Sequence, residues 1–210
     1  AGLDALTGGA GADVINGGDG GTTGVGLVGG AGADTITGGA GADTISGGAG
    51  ADTITAGAGV DTITGGAGAD TLTGGDGAET FIFTAAGGIS YATSMDVITD
   101  LTVGATGDSI TLVNKGTEVG GSGTILTAAI TDVSIAGTVL EALNLVSVGD
   151  GSTNGIVKWF QFGGNTYLVN DLSASTSYVD GTDQAIKITG LVDLDGTDAV
   201  TTDNLLLTFA

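Results

Sequence analysis

Apolar residues in the first third of the chain come singly and at a fixed interval. From Ile36 onward, Ile36, Ile45, Ile54, Ile63 and Leu72 each sit between two hydroxyl residues and recur every nine positions, with Ile15 as an earlier outlier. A Thr-Ile-Thr triplet alternates polar and apolar side chains, the pattern of a short strand with one buried face. One apolar side chain cannot hold such a strand in place. Only stacking on neighbours of the same kind buries the row.

The spacers between the triplets are as regular as the triplets. From Gly8 the chain divides into GGAGADVIN (8–16), a long unit GGDGGTTGVGLV (17–28), GGAGADTIT (29–37), GGAGADTIS (38–46), GGAGADTIT (47–55), AGAGVDTIT (56–64), GGAGADTLT (65–73) and GGDGAETFI (74–82). The opening AGLDALT fits positions three to nine of the same unit. The expectation is that residue 1 is a cut or processing boundary within a longer protein. Glycines at positions one, two and four allow positive φ and a tight turn. The Asp-Thr-Ile-Thr that follows suits a strand.

This unit resembles the RTX nonapeptide G-G-x-G-x-D-x-U-x over roughly the first 82 residues. One departure is Ala at most fifth positions, where that family often has Asn or Asp, a change expected to weaken cation binding somewhat. The resemblance implies an all-β parallel β-roll, a calcium-binding solenoid, in which two repeats make one coil and repeat n stacks on repeat n+2. The sixth positions then fall into two columns. One is Asp13, Asp34, Asp52 and Asp70; the other is Asp4, Thr22, Asp43, Asp61 and Glu79. The first gives three sites between four turns. The second is broken at Thr22 and altered at Glu79, leaving one clean site between Asp43 and Asp61. Calcium is expected at these carboxylates and at the turn glycines Gly9, Gly11, Gly30, Gly32, Gly39, Gly41, Gly48, Gly50, Gly57, Gly59, Gly66 and Gly68.

Charge gives the columns their meaning. Neighbouring carboxylates one strand spacing apart, ~4.8 Å, repel by roughly 1 kcal/mol in water and ~3–4 kcal/mol at an effective dielectric of 20. Residues 1–82 hold nine Asp, one Glu and no Lys or Arg, so no internal countercharge exists. A divalent cation between successive turns reverses the sign of the interaction. Oxygen-only ligands with flexible carbonyls favour Ca²⁺ over strictly octahedral Mg²⁺, and about five ions would nearly cancel the charge of the repeats. The alternative is a metal-free solenoid whose Asp residues only shape turns.

Composition narrows the rest. The 210 residues carry a net charge of −21, with Lys115, Lys158 and Lys187 as the three basic residues. Such a surface repels nucleic acid and anionic lipid. The chain has no Cys and no His, which excludes a disulfide framework, thiolate metal sites, zinc-hydrolase chemistry and a Ser-His-Asp triad. A carboxylate pair for glycoside hydrolysis stays formally open. No run of 18 apolar residues is present to form a membrane-spanning helix, and the N-terminus lacks the features of a secretory signal peptide.

Residues 83–210 read as a β-rich C-terminal capping and secretion domain. The nonapeptide period ends, and eight of the nine aromatics lie here. Strands are expected at 95–101, 108–113, 155–162, 165–170, 185–190 and 204–209, with a Gly163-Gly164 hairpin turn and one short helix at 138–145. Trp159, Phe160, Phe162, Tyr167 and Tyr178 are expected to supply a small core; an aromatic carbohydrate site is the functional alternative. MDVITDLTVGATGDSITL (95–112) resembles the segment that follows the roll in RTX proteases and related exoproteins. FQFGGNTYLVND (160–171), AIKITGLVDL (185–194) and the apolar end resemble the terminal region of type I secreted proteins, bacterial S-layer proteins among them. That resemblance implies an uncleaved export signal within roughly the last 60 residues. Asp96, Asp100 and Asp108 are candidate ligands for a further calcium at the end of the roll, or else solvated turn residues. Asp193, Asp195 and Asp198 with Gly196 loosely follow an EF-hand loop, but the closing Glu is missing.

The functional expectation is a non-catalytic, secreted module that folds on calcium, as the C-terminal part of a cell-surface structural protein such as an S-layer subunit. Its expected partners are the type I secretion machinery and further copies of itself in a surface lattice. Two alternatives remain: the export domain of an RTX protease or lipase, and an ice-binding or adhesin solenoid displaying Thr35/Thr37, Thr53/Thr55 and Thr71/Thr73 on one face and Thr44/Ser46 and Thr62/Thr64 on the other.

Overall fold

The computed structural model describes residues 5–18, 24–83, 94–103, 107–112, 156–171, 179, 183–190 and 206–209. The expected helix at 138–145, Tyr178, Asp4, Thr22 and the 193–198 acidic group lie outside the described residues.

Each Thr-Ile-Thr triplet starts a strand, and the strand runs further than the triplet predicts. In Thr35–Ala40 and Thr44–Ala49 it continues through the Gly-Gly-Ala of the next repeat. The turn proper is only the three residues at positions four to six. Positive φ occurs at positions two and four, as at Gly48 (φ 114) and Gly50 (φ 136), and at no position-one glycine of the repeats. The expectation that all three glycines serve the turn by adopting positive φ is thus corrected for position one. Its reason for being Gly is steric and belongs to the carboxylates described below.

Along the roll the strands are β1 (Ala5–Ala10), β2 (Val14–Asn16), β3 (Gly26–Ala31), β4 (Thr35–Ala40), β5 (Thr44–Ala49), β6 (Thr53–Gly59), β7 (Thr62–Ala67), β8 (Thr71–Gly77) and β9 (Thr80–Phe83). Beyond them come β10 (Asp96–Ile98), β11 (Ser109–Leu112), β12 (Ile156–Phe162), β13 (Asn165–Asp171), β14 (Gln184–Ile188) and β15 (Leu206–Phe209). All six strands expected after residue 83 are present. Odd strands form one sheet in the order β1-β3-β5-β7-β9-β11-β15; the other sheet runs β12-β13-β14-β10-β8-β6-β4-β2. Thr35 pairs with Thr53 and Thr53 with Thr71, so repeat n stacks on repeat n+2 in parallel register. Turn amides tie the coils as well: Gly32 N–H donates to Ala49 O at 2.7 Å and Thr53 N–H to Asp34 O at 2.8 Å.

The inward side chains make one row per sheet. Leu27, Ile45, Ile63, Phe81 and Ile110 line one row. Ile15, Ile36, Ile54, Leu72, Ile98 and Ile188 line the other. All but Ile15, which is 7% exposed, are essentially sealed from solvent. Burying one such side chain stabilises by about 1.5–3 kcal/mol, and each strand from β2 to β9 has at least one, while Leu6 of β1 is 41% exposed. The Thr side chains point outward; Thr35, Thr53 and Thr71 are exposed and in register.

Hydrogen bonding runs across residue 82 without a break, because β11 pairs with β9 and β10 with β8. Strand β14 then adds parallel to β10, and the β12–β13 hairpin closes that sheet antiparallel. The hairpin turns at Gly163 (φ 57) and Gly164 (φ 79), the two positive values a type I′ turn requires. Trp159, Phe160 and Tyr167 are buried, and Phe160 stacks on Tyr167 at 5.1 Å. These aromatics pack as core. The Gln184 side-chain amide donates to Phe83 O at 2.8 Å, fastening β14 to the end of β9.

Truncating Ile54 to Ala is expected to destabilise the calcium-loaded protein by about 3 kcal/mol. Val60→Ala, at a side chain 62% exposed, is expected to change stability by less than about 0.5 kcal/mol. Urea unfolding monitored by circular dichroism measures both.

Candidate metal centre

The sixth residue of each repeat enters its strand from the turn, so its side chain meets its counterpart one coil away. The contact has the same form at nearly every rung. The Asp13 N–H donates to Asp34 Oδ1, Asp34 N–H to Asp52 Oδ1 and Asp52 N–H to Asp70 Oδ1, each at 2.8 Å. On the other edge Asp43 N–H donates to Asp61 Oδ1 at 2.7 Å. A backbone amide thus holds one oxygen of each of Asp34, Asp52, Asp61 and Asp70. Asp34, Asp43, Asp52, Asp61, Asp70 and Glu79 are all no more than 2% exposed.

The second oxygen has no partner. Asp13, Asp34, Asp43, Asp52, Asp61 and Asp70 each bury an unbonded Oδ2, and Glu79 buries an unbonded Oε1. Leaving a buried charged oxygen without a bond is costly. Here the omission repeats at each rung from Asp13 to Glu79, in a segment with no Lys or Arg to supply a donor. Position one is Gly for this reason. A Cβ at Gly29 or Gly47 would lie 2.4 Å from Oδ2 of Asp34 or Asp52. Ala56 is the one exception, and there the Asp43–Asp61 rung is kept. Positions two and four are Gly because coils touch backbone to backbone. A Cβ at Gly48 would meet Gly30 O at 2.1 Å, and one at Gly50 would meet Gly32 O at 2.0 Å.

Carboxylate and carbonyl oxygens are therefore packed at each corner with nothing of opposite charge among them. No three acidic side chains converge on one point among the described residues. Carboxylates of successive rungs, with glycine carbonyls beside them, would hold a cation here, a donor set that suits Ca²⁺. When bound, it would supply the positive charge that the orphaned oxygens lack. The residues fit such an ion.

Burial without countercharge shows in the acidities. Desolvation pushes Asp52 and Asp61 above the usual range; the amides of Asp34 and Asp43 partly offset it, and the charges of those residues add to it. Asp70 is pushed up to about 6 by burial first, then by the Asp52 charge, against the lowering effect of the Asp52 amide. Glu79 is pushed up to about 8 by burial, by its hydrogen bond with Asp108, and by the charges of Asp108, Asp61 and Asp100.

The columns differ from the sequence reading at three points. The residue stacked beneath Asp43 is Val25, whose N–H donates to Asp43 Oδ1 at 2.8 Å. The long repeat therefore puts its extra residues before its sixth position, and the place assigned to Thr22 belongs to Val25. Asp96 and Asp108 are further rungs: Asp70 N–H donates to Asp96 Oδ1 at 2.8 Å and Glu79 N–H to Asp108 Oδ1 at 2.9 Å. Asp108 differs in that its Oδ2 accepts from Thr102 N–H at 2.8 Å and from Thr102 Oγ1 at 3.2 Å. Asp100 is not on a column. The shared D-x-[IV]-x-[DL] rhythm at 96 and 108 was the available signal for the two extra rungs.

Residues 1–23, 27–54 and 55–84 match the family model described as the RTX calcium-binding nonapeptide repeat. The break between the first two matches falls in the long repeat. The chain thus carries calcium-binding nonapeptide repeats of the RTX type across its first 84 residues. No curated protein matches it. Among solved structures it is similar to the solution structure of the AlgE6R2 subunit of the mannuronan C5-epimerase from Azotobacter vinelandii. That likeness has a TM-score of 0.45 at 21% identity, covering 98% of this chain and 92% of that one.

Two outcomes are expected. A carboxyl whose pKa is raised by folding binds its proton more tightly in the folded state, so the stability it contributes is complete at low pH and lost as pH rises. Without calcium, stability should fall from the ordinary Asp value of 3.8 through about 6 for Asp70, and from 4.5 through about 8 for Glu79. Thermal melts of chelator-treated protein between pH 4 and pH 8 should show the melting temperature dropping across that window. Gly48→Ala is expected to cost at least about 2 kcal/mol in calcium-loaded protein, since it adds a Cβ at positive φ against a carbonyl; urea titration measures it.

Proposed function

We propose that this chain is a non-catalytic, secreted module that folds on calcium and serves as the C-terminal part of a cell-surface structural protein, such as an S-layer subunit. The observation that carries the reading is the ladder of buried carboxylate oxygens with no partner. A protein that leaves the same group unbonded at every coil depends on an ion to complete it. Binding to the folded state alone stabilises it by mass action, and metal-coupled folding follows. Extracellular calcium modules bind at about 10⁻⁴–10⁻³ M, far above cytosolic levels. The chain would stay open inside the cell, pass the type I secretion machinery unfolded, and close outside.

What supports a structural role is the uniformity of the site. Each rung repeats the last, whereas catalysis needs unlike groups converging on one reacting atom. Regular coils bearing exposed Thr, with acidic character and very few basic residues, suit a bulk lattice component that associates with its own copies. Among the described residues no helix is long and apolar enough to cross a membrane. The division at residue 82 into a roll and a capping and secretion region is part of this proposal.

Circular dichroism during a calcium titration tests the folding claim. The β-sheet signal is expected to rise cooperatively with calcium and to stay flat with magnesium over the same range. A chelated protein that keeps its full β signal at neutral pH would overturn it. Light scattering of the calcium-loaded protein tests lattice formation separately.

A further inference from the structure

We propose that Asp100 is the terminator of the roll, a carboxylate that closes the last glycine turn on backbone amides instead of joining the cation ladder. The inference rests on the calcium-roll reading and assigns Asp100 a role distinct from that of a ligand. The β8–β10 register pairs Val97 with Thr71 and Ile98 with Leu72, which sets Asp100 over Gly74. In the same stack the earlier coils have Gly38 and Ala56, the first residues of their repeats. Asp100 thus occupies repeat position one.

In the running ladder that position excludes a long side chain. A Cβ at Gly38 would sit 2.5 Å from Asp43 Oδ2, because the carboxylate five residues later folds back against it. After Asp100 the carboxylate in register with Glu79 is Asp108, which comes eight residues later instead of five, and its Oδ2 is held by Thr102 N–H at 2.8 Å. The Asp100 side chain turns back on the preceding coil. Asp100 Oδ1 accepts from Gly74 N–H at 2.9 Å and Oδ2 from Gly75 N–H at 2.8 Å. Inside the roll a position-one amide donates to a backbone carbonyl of the next coil, as Gly17 N–H does to Thr37 O at 2.8 Å. At the end a charged side chain takes that place and satisfies two amides in one fork. Beside it, the Thr73 and Thr99 hydroxyls pair at 2.8 Å.

The difference from the ladder is in the second oxygen. Asp34, Asp43, Asp52, Asp61 and Asp70 bond one oxygen to an amide and leave the other bare, whereas Asp100 uses both on amides, as does Asp108 at the end of the other column. It is a positioning residue: it fixes the last glycine turn as the template on which the cation-dependent coils stack. Its loss should weaken calcium-driven folding as a whole without removing an ion.

The experiment compares the full chain with Asp100→Asn, Asp100→Glu and Asp52→Asn. Native mass spectrometry counts bound calcium, and circular dichroism gives the calcium midpoint. Asp100→Asn keeps one acceptor and turns an NH₂ toward an amide donor. It is expected to hold the wild-type ion count while the midpoint rises about tenfold. Asp52→Asn, in mid-ladder, is expected to lose at least one ion. An Asp100→Asn protein that binds one ion fewer, or whose midpoint does not move, overturns the proposal. If Asp100→Asn fails to fold, Asp100→Glu decides: a full ion count supports the terminator, and a missing ion overturns it. Wild-type protein that takes up no calcium would sink the underlying roll reading instead, a result separable from both.

Discussion

A carboxylate buried with one oxygen bonded and the other facing nothing is the constraint from which the rest of this structure follows. The orphaned oxygen recurs from Asp13 to Asp70 and again at Glu79. Removing the carboxylates would relieve the strain but also the amide bonds that set the stacking of one coil on the next. Position one is glycine to make room for the carboxylate, and positions two and four are glycine so that the backbone carbonyls can close around the same corner. The repeat is one answer to a single packing problem, applied at each corner in turn. That is why the chain repeats one nonapeptide instead of bringing unlike groups together.

The magnitudes explain why the roll can be switched. Each strand from β2 to β8 contributes one inward aliphatic side chain, about 1.5–3 kcal/mol of burial. Each neighbouring pair of carboxylates opposes it with ~3–4 kcal/mol of repulsion at an effective dielectric of 20. The two are of similar size, and the entropy of ordering a glycine-rich chain is still to be met. Neither a thicker core nor internal countercharge tips the balance. A cation at the corner changes the sign of the electrostatic part alone, so folding follows the ion. Protonation is the weaker substitute: it removes the repulsion but leaves no positive charge for the carbonyls.

Much of this was legible from residue spacing. The nine-residue period gave the strands and the inward row, because a strict repeat forces equivalent residues into equivalent places, and the resemblance to the RTX nonapeptide supplied the pairing of repeat n with n+2. The Gly163-Gly164 turn was legible because two adjacent positive φ values need glycine. Legibility failed wherever the spacing changed. Rungs inside the roll are 18 residues apart, or 21 across the long repeat from Asp13 to Asp34, but Asp70 to Asp96 spans 26 and Glu79 to Asp108 spans 29. Hydrogen-bond register, which no period announces, puts them in line. Val25 was missed for the same reason, since an insertion shifts the count without shifting the stack. The addition of β14 to β10 depends on a contact between residues far apart in the chain, and nothing local encodes it.

The two ends of the ladder show that stacking and cation binding are separable. At Val25 the rung survives, because the bond needs only an amide above and a carboxylate below, and Val25 supplies the amide. What is missing there is the second charge, so that corner has less repulsion to overcome and less to hold an ion with. Past Asp96 the position in register is Ile186, followed by Leu168 and Trp159. The column passes from carboxylate to aliphatic to aromatic without leaving the sheet. The in-register positions past Asp96 lie in mid-strand, the last two in antiparallel strands, and there an apolar side chain takes the place of the carboxylate. The backbone sets where a corner is; the side chain decides whether that corner needs an ion. A roll of this kind can end in an ordinary hydrophobic core, with no cation required, once the carboxylates stop.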